Sequence, residues 1–336
     1  MLTEGKNNKK KSISSWLLAE PFAYTISSLR ILDKASSILS RVFLIGIRIF
    51  LRLILGKRKR EKLQFYHRLY FRINISFSFY LFMFLYKIIG ILRLGNPSFV
   101  KINVPKYNYK VYCPVTEDDY MHMTTREDDI IEKFRPNDGE IVVDVGAHYG
   151  RYSLIAAKRV GPKGKVIAIE ADPENFDMLN KNIKLNESSK ENVITLNYAA
   201  SSNQSKVKLS IPEKQSGGQT IYSSIIPNRA AAEKFVEVNA NTLDNLLHKN
   251  DISLERINWI KIDVEGAELE VLKGTSEVLS KSKDISLLIE IHNVDDEKTL
   301  YEPIMDLLKN YNFKIEFEQV YETGERHIIV SKQQVN

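Results

Sequence analysis

From about residue 140 onward, the chain alternates short apolar runs with longer stretches that have the apolar spacing of amphipathic helices. Parallel strands covered on both faces are apolar throughout, so this alternation predicts an α/β fold whose parallel sheet carries helices on both faces. Two segments of alternating polarity, at residues 207–211 and 235–238, predict additional strands. The predicted strands occupy residues 141–145, 166–169, 193–196, 259–262 and 285–291, and the predicted helices occupy residues 152–159, 173–185, 269–279 and 299–308.

The charges of the chain separate into two regions of opposite sign. Residues 1–100 contain 18 Lys and Arg residues but only four Asp and Glu residues, a net charge of +14, whereas the remaining residues carry a net charge of −8. The overall charge of +6 hides this division. We therefore divide the chain into a basic, apolar helical region at residues 1–95, a connector and lead-in at residues 96–135, and an α/β domain at residues 136–336.

Six basic residues from Arg30 onward are spaced so that they would lie on one side of a helix. With about 100° between successive residues, they fall within a stripe of about 40° on a helix whose remaining surface is largely apolar. A wide apolar face beside a narrow cationic one is typical of a helix that lies on an anionic lipid surface. The six residues are Arg30, Lys34, Arg41, Arg48, Arg52 and Lys59.

A second apolar segment, at residues 73–92, has about the 20 residues that a membrane-spanning helix requires, with Lys87 as its only charge. Tyrosines within it and arginines at its ends resemble interfacial anchors. Peripheral attachment and a single span both fit this segment, as does packing on the α/β domain or on a partner chain. Residues 30–95 are thus expected to contact a membrane lipid surface, and we expect a cytoplasmic, membrane-associated location.

Composition excludes two kinds of site. The single cysteine, Cys113, rules out an intrachain disulfide framework and a Cys-rich zinc site. The net charge of −8 after residue 100 argues against polyanion binding by the α/β domain. A basic N-terminal region can still bind phosphates. Nucleic acid is therefore a disfavoured partner of this region, but it is not excluded.

The first apolar run ends in the string DVGAHYG at residues 144–150. Ligands of open parallel sheets bind beyond the carboxyl ends of the strands, so the ends of the apolar runs carry the candidate site. Gly146 and Gly150 let the backbone turn tightly and approach a ligand, and the helix start that follows offers N–H groups. The spacing differs from the G-x-G-x-x-G dinucleotide fingerprint, and Asp144 would face a positively charged ligand instead of a pyrophosphate.

The second apolar run ends at Glu170, which Asp172 follows two residues later. A carboxylate at the end of the second strand is placed to accept hydrogen bonds from both hydroxyls of a ribose. Combined with the glycine turn after the first run, it predicts a nucleoside-binding site.

Three strings in this region resemble the FkbM family of methyltransferases. They are DVGAHYG at residues 144–150, EADP at residues 170–173, and KIDVEGAE at residues 261–268, the most specific of the three. The resemblance covers about residues 138–332. It implies a Rossmann-like class I methyltransferase sheet, S-adenosylmethionine as methyl donor and, usually, O-methylation of a sugar or polyketide hydroxyl.

The same resemblance assigns roles to residues of these strings. Asp144, Gly146 and Gly150 would cradle the methionine half of S-adenosylmethionine, and Glu170 would bind its ribose. We add two neighbours, His148 and Asp172, to the predicted cofactor-binding set. Members of the family commonly carry Asn where this chain has His148.

Methyl transfer to an alcohol is an in-line displacement, so the protein must align the two reacting atoms and assist removal of the hydroxyl proton. Asp263 and Glu265 follow the fourth run and could orient or deprotonate the acceptor. Alternatively, Asp263 could cap the helix that begins near Gly266, and Glu265 could interact with its dipole. Glu290 and His292 share one face at the end of the fifth run, and His292 is a candidate base or a simple hydrogen-bonding residue. The predicted catalytic residues are therefore Asp263, Glu265 and His292.

These same acidic and imidazole side chains could also collect a divalent cation, because hard ions prefer carboxylate oxygens. Their spacing in sequence does not demand one, and no metal ligand is predicted. The loop at residues 215–224, rich in Gly and Ser, could cover the acceptor, although ordinary loop composition explains it equally well.

The chain is best interpreted as an S-adenosylmethionine-dependent O-methyltransferase that acts on a hydroxyl of a glycan or lipid-linked saccharide at a membrane. An alternative keeps the enzyme but gives it a soluble small-molecule acceptor, with the N-terminal arm used for dimerisation. An alternative of another class is a non-enzymatic nucleoside-binding or nucleic-acid-binding protein. The sequence leaves the oligomeric state open.

Overall fold

The computed structural model describes residues 99–114, 122–124, 126–212, 232–293 and 299–333. All of them belong to one compact unit, Ser98–Asn336. Within this described part of the chain, no helix has the length and apolar character needed to cross a bilayer. The predicted lipid-contacting region at residues 30–95 and the predicted loop at residues 215–224 lie outside the described residues.

Twelve strands and seven α-helices are described. The strands are β1 Phe99–Val104, β2 Tyr109–Pro114, β3 Ile141–Val145, β4 Lys165–Ile169, β5 Val193–Leu196, β6 Ala199–Ala200, β7 Ser205–Pro212, β8 Ala232–Asn241, β9 Ile257–Ile262, β10 Ser286–Ile291, β11 Phe313–Val320 and β12 Arg326–Lys332. The helices are α1 Asp128–Ile131, α2 Arg151–Val160, α3 Pro173–Leu185, α4 Leu243–Lys249, α5 Glu268–Lys273, α6 Ser276–Lys281 and α7 Tyr301–Asn310.

Seven strands form the central sheet in the order β11-β12-β10-β9-β3-β4-β5. Strand β3 pairs in parallel with β4 on one side and with β9 on the other, whereas β12 is antiparallel to both of its neighbours. The chain winds outward from β3 through β4 to β5, and later from β9 to β10, so the direction of winding reverses between β3 and β9. A reversal of this kind leaves a crevice at the carboxyl ends of the two strands.

Side chains of β3 show how the sheet separates two cores. Ile141, Val143 and Val145 are buried in the core that α4, α5, α6 and α7 cover, whereas Val142 is buried in the core that α1, α2 and α3 cover. Successive side chains of a strand point to opposite faces, so a run that is apolar throughout requires helices on both sides. The predicted α/β fold, a Rossmann-like sheet with helices on both faces, is confirmed.

The single helix predicted at residues 269–279 is wrong. The structure breaks it into α5 and α6 at Gly274, which has a poor helix propensity. A Cβ at Gly274 would lie 2.0 Å from the backbone oxygen of Ser201, so only glycine fits this contact. The carboxylate of Asp244 accepts hydrogen bonds from the backbone N–H groups of Glu277 and Val278, and so caps α6 from a neighbouring helix.

Within the predicted connector, strands β1 and β2 form an antiparallel hairpin that packs on the same core as α2 and α3. Asn182 of α3 and Asn186, the residue that follows α3, bind the backbone of β2. The Oδ1 atom of Asn182 accepts from Tyr112 N at 2.7 Å, and that of Asn186 accepts from Lys110 N at 2.9 Å. Each amide also donates to the carbonyl of the same β2 residue. The hairpin is therefore an integral part of the compact unit.

Candidate cofactor and acceptor site

A cavity of about 840 Å³, including its open mouth, lies at the carboxyl ends of β3, β4 and β9. It occupies the crevice where the winding of the sheet reverses, which is where open α/β sheets bind ligands. Its walls include residues from the loops that follow all three strands: Gly146, Ala147 and His148 after β3, Glu170 and Ala171 after β4, and Asp263, Val264 and Glu265 after β9.

Gly146 allows two of these loops to approach each other closely. Its backbone has a φ of +77°, and a Cβ there would lie 1.8 Å from the backbone oxygen of Asp263. The N–H of Asp263 also donates to the carbonyl of Val145 at 3.1 Å, which continues the pairing of β3 and β9 beyond their ends. The glycine is required for this contact, since any other residue would push the two loops apart.

Glu170 projects from the end of β4 into the cavity wall and is 6 % exposed. Its Oε2 accepts from the backbone N–H of His148 at 2.7 Å, and its Oε1 accepts from that of Asp172 at 2.9 Å. Burial raises the pKa of this carboxyl to about 7, although the two amide donors act in the opposite direction. Both oxygens are held in place and retain lone pairs for a ligand.

The other predicted cofactor residues, apart from Asp144, have three different environments in the structure. His148 lines the cavity with a φ of +50°, its ring stacks on Tyr149 at 3.9 Å, and burial lowers its pKa to about 4. Gly150 precedes α2 with a φ of +92°, and a Cβ there would lie 2.7 Å from Leu179 Cδ1. Asp172 caps α3, because its carboxylate accepts from the backbone N–H groups of the first turn.

Asp144 does not line the cavity directly. It is 1 % exposed, accepts from Ser153 Oγ at 2.5 Å, and lies 3.7 Å from the ammonium of Lys261. Burial raises its pKa, against the effect of that ammonium. The positive charge that Asp144 faces is thus a lysine of this chain, so any effect of Asp144 on a ligand passes through Lys261.

Lys261 joins the ends of β3 and β9. Its ammonium lies 3.0 Å from Asp263 Oδ2 and 3.1 Å from the carbonyl oxygen of Gly146, and the residue is 5 % exposed. Burial by itself would raise the pKa of Asp263, but the attraction of Lys261 and His292 lowers it below its ordinary value. Asp263 is therefore ionised and fixed in orientation. It caps no helix through its side chain, since no side-chain cap is formed at the start of α5.

His292 lies at the centre of a group of carboxylates just beyond β10. Its Nδ1 donates to Glu268 Oε1 at 2.8 Å. Its Nε2 lies 3.6 Å from Glu265 Oε2, 3.7 Å from Glu290 Oε1 and 3.9 Å from Asp263 Oδ1. Burial would lower the pKa of His292, but the carboxylates raise it to about 10. As it stands, the imidazole is protonated at neutral pH, which does not support a role as base.

Besides Lys261, three participants were missed by sequence reasoning. Glu268 is fully buried and holds both His292 and the backbone N–H of Gly266 through Oε1. His327 lies 3.2 Å from Glu290 Oε2, and Glu127 completes a group with these two side chains. Glu268 lies inside the KIDVEGAE string, which was a usable signal. Nothing local marks Glu127 or His327, because only the folding of β12 and α1 brings them to this edge.

Residues 144–315 match the methyltransferase FkbM domain family. This match covers about half of the chain and includes every string that carried the resemblance. The chain belongs to the FkbM methyltransferase family. As a member, it carries an S-adenosylmethionine-dependent methyltransferase domain, and S-adenosylmethionine is its cofactor.

Two curated relatives show how far the similarity of this FkbM-family chain extends. Methyltransferase sdnD of Sordaria araneosa is 35% identical over 158 residues, covering 40% of this chain and 60% of that protein. Hexuronic acid methyltransferase AglP of Haloferax volcanii is 27% identical over 159 residues, covering 47% of this chain and 59% of that protein. The match thus spans about 60% of the length of either relative.

Among solved structures, methyltransferase FkbM from Methylobacillus flagellatus is similar to this FkbM-family chain with a TM-score of 0.40 and 21% sequence identity. The similarity covers 59% of this chain and 44% of that one.

The residues around the cavity fit the cofactor of the FkbM family. Glu170 offers two oriented oxygens that suit the two hydroxyls of a ribose. Gly146 provides the tight backbone turn beside it, and the cavity lies at the strand ends where open α/β sheets bind ligands. These residues would hold the nucleoside, and the carboxylates after β9 face the same cavity from another strand end.

Proposed function

We propose that this protein is an S-adenosylmethionine-dependent O-methyltransferase whose acceptor is a hydroxyl of a glycan or a lipid-linked saccharide. One observation carries the proposal. The same cavity is lined by Glu170, which suits a nucleoside, and by Asp263 and Glu265, which suit an alcohol. A carboxylate accepts a hydrogen bond from a hydroxyl, and this contact orients the oxygen for attack.

S-adenosylmethionine supplies an electrophilic methyl group when it is bound. The work of the protein is then to position the acceptor oxygen and to receive its proton. Lys261 holds Oδ2 of Asp263, so Oδ1 is the atom that remains to accept from an acceptor hydroxyl. Because its pKa is lowered, Asp263 is a weak base, and we assign it to orientation of the hydroxyl. Glu265, two residues further on, is the better candidate to take the proton.

Support for a saccharide acceptor comes from the similarity to AglP, whose name gives a hexuronic acid as its substrate. Sugars present hydroxyls next to other oxygens, and a cavity edge rich in carboxylates can hold such a pattern of donors. Asp263 and Glu265 line the cavity, and both lie, with Glu290, within 3.9 Å of His292 Nε2.

Methyl transfer is tested with full-length protein, radiolabelled S-adenosylmethionine and glycosides of uronic acids and neutral sugars, with the product located by mass spectrometry. We expect label in an O-methyl ether of a sugar. Asp263→Asn and Glu265→Gln should each lower the rate by about 10²-fold or more, as loss of a group that positions or deprotonates the acceptor would do. His248→Gln, at an exposed position that does not line the cavity, is the control. Label transferred only to soluble non-sugar acceptors would contradict the proposal.

We also propose that the basic N-terminal region brings the enzyme to a membrane surface. The net charge of +14 over residues 1–100 supports this placement. Flotation of full-length protein with vesicles that contain anionic lipid tests it against a variant in which Lys57, Arg58, Lys59 and Arg60 are all replaced by Glu. Wild-type protein should float with the vesicles and release at high salt, and the variant should stay in solution. Equal flotation of the two proteins would contradict this placement.

A further inference from the structure

The imidazole of His292 is oriented as a metal ligand. Its side chain is 5 % exposed, and its Nδ1 donates to the fully buried carboxylate of Glu268. Histidines that bind metals through one ring nitrogen almost always donate the other N–H to a carboxylate, a carbonyl or water. The contact with Glu268 therefore fixes the ring so that Nε2 points toward Asp263, Glu265 and Glu290.

The second ring nitrogen has carboxylates around it but no hydrogen bond to them. Within the described part of the chain, the carboxylate oxygens around His292 Nε2 lie at 3.6, 3.7 and 3.9 Å, beyond hydrogen-bonding distance. Ligand atoms that lie about 2.1 Å from one cation are about 3.0 Å apart at right angles and about 3.4 Å apart in a tetrahedron. The observed separations exceed the tetrahedral value by about 0.2–0.5 Å and the right-angle value by about 0.6–0.9 Å, so side-chain rotations of this size would let the atoms share one cation.

Charge balance favours a cation at the same point. Four carboxylates, from Asp263, Glu265, Glu268 and Glu290, approach this one imidazole within 3.9 Å. The ammonium of Lys261 binds Oδ2 of Asp263, so Oδ1 is left to face Nε2. Carboxylates that share a site repel one another unless a cation lies between them.

We propose that Asp263, Glu265 and His292 bind a divalent cation of the Mn²⁺ type beside the cofactor cavity, with Glu268 orienting His292 and the cation displacing the proton on Nε2 of His292 to solvent. Ligand atoms of the three residues lie within 4.8 Å of one another. A mixture of one imidazole nitrogen and carboxylate oxygens suits Mn²⁺, which accepts both ligand types. The spacing of these residues in sequence did not require a metal, whereas their arrangement in the fold favours one.

The position of this site suggests what it would recognise. Asp263 and Glu265 also line the cavity, so a cation held by them can be reached by the acceptor. A cation with water ligands binds two neighbouring oxygens of one molecule well, such as a vicinal diol or the hydroxyl and carboxylate of a uronic acid. This extension to the acceptor rests on the proposed function, whereas the cation site itself does not.

The test measures binding of Mn²⁺ alone. Full-length protein is stripped with EDTA, dialysed and titrated with Mn²⁺, and unbound Mn²⁺ is followed by electron paramagnetic resonance. We expect one bound equivalent for the wild-type protein. Asp263→Asn, Glu265→Gln and His292→Gln should each weaken binding by at least about 10-fold, and Glu268→Gln by about 10-fold, as loss of an orienting partner does. His248→Gln, an exposed histidine that also contacts a glutamate, is the matched control and should bind as the wild type does.

Absence of bound Mn²⁺ in the wild-type protein would overturn the cation site, and so would equal binding by wild type, Glu265→Gln and His292→Gln. Calorimetric titration of the same samples with S-adenosylmethionine reports whether each variant is folded. It also separates the two proposals. Cofactor binding and methyl transfer without Mn²⁺ binding would reject the cation site alone. Mn²⁺ binding without methyl transfer to any saccharide would reject the proposed function alone.

Discussion

The ammonium of Lys261 lies 3.0 Å from Oδ2 of Asp263, and both groups belong to the segment where β9 ends at the cavity. Asp144 approaches the same ammonium at 3.7 Å from the end of β3. One lysine therefore balances two carboxylates that belong to neighbouring strands. Its position in the KIDVEGAE string has a structural reason, since it joins the two strand ends that border the cavity.

We expect Lys261→Met to lower the free energy of unfolding by about 3–5 kcal/mol, because it leaves buried carboxylates without their cation. Lys273→Met is the matched control. Lys273 also pairs with a carboxylate, that of Glu270, but at an exposed position, where an ion pair contributes less than about 1 kcal/mol. Urea denaturation of both variants measures the difference. Similar losses of stability in the two variants would show that the buried ion pairs of Lys261 contribute no more than the exposed pair of Lys273.

Gly146→Ala should be far more destabilising than Gly139→Ala, although both glycines have a positive φ. A Cβ at Gly146 would meet the backbone oxygen of Asp263 at 1.8 Å, whereas a Cβ at Gly139 has nothing within 4 Å. Gly139→Ala bears only the cost of a left-handed alanine, about 1–2 kcal/mol. Gly146→Ala adds a clash between two backbones, and we expect a loss above about 4 kcal/mol. Thermal unfolding of the pair measures this gap, and equal costs would contradict the close approach of the two loops.

The affinity for S-adenosylmethionine should fall as the pH decreases through about 7. Glu170 has a pKa raised to about 7 by burial, and only its ionised form can accept from both ribose hydroxyls. Glu170→Gln should bind more weakly at pH 8 and lose this pH dependence. Calorimetric titration at several pH values measures both effects. A pH dependence that survives in Glu170→Gln would assign it to another group.

Ionisation of Glu170, which favours cofactor binding, lowers the stability of the cofactor-free protein. Its pKa is about 7 in the folded state, against an ordinary value of 4.5. Between these two values the folded state binds more protons than the unfolded one, so the contribution of this group to stability decreases as the pH rises through that window. Glu170→Gln should flatten the dependence of the free energy of unfolding on pH between 4.5 and 7. Urea denaturation across that range measures it, and an unchanged slope in the variant would contradict the raised pKa.

Asp172 was predicted to bind the cofactor, and its observed contacts provide a way to separate that role from a structural one. Because its carboxylate caps α3, Asp172→Ala should cost about 0.5–2 kcal/mol of stability, and Asp172→Ser should restore most of it. We expect both variants to keep their affinity for S-adenosylmethionine once the folded fraction is taken into account. Loss of affinity in the stable serine variant would favour direct contact with the cofactor.

The strands of the central sheet could be predicted from sequence because burial on both faces leaves an uninterrupted apolar run. Residues 141–145, all of them buried, form a strand with the predicted bounds. Residues 193–196 also have their predicted bounds, although this strand lies at one edge of the sheet and is only partly buried. The opposite edge was harder to predict. Strand β11 alternates exposed charges with partly buried side chains such as Ile315 and Phe317, so its signal is the alternation and not a run.

The candidate site was partly predictable for a related reason. Residues at the ends of parallel strands converge by topology, which is why Glu170 and Asp263 could be assigned to one cavity from their positions alone. The contact between Glu268 and His292 joins a helix to the end of a different strand, and no local pattern specifies it. Contacts of His327 depend in the same way on an antiparallel strand that returns late in the chain.

The hairpin held by Asn182 and Asn186 encloses the only thiol in the chain, since Cys113 lies in β2 and is fully buried. A reagent in solution can reach this sulfur only while the hairpin is detached. The rate at which Cys113 is chemically labelled then measures how often the hairpin detaches from the rest of the domain. The protein thus carries a built-in reporter of its own local opening, with no second thiol in the sequence to react.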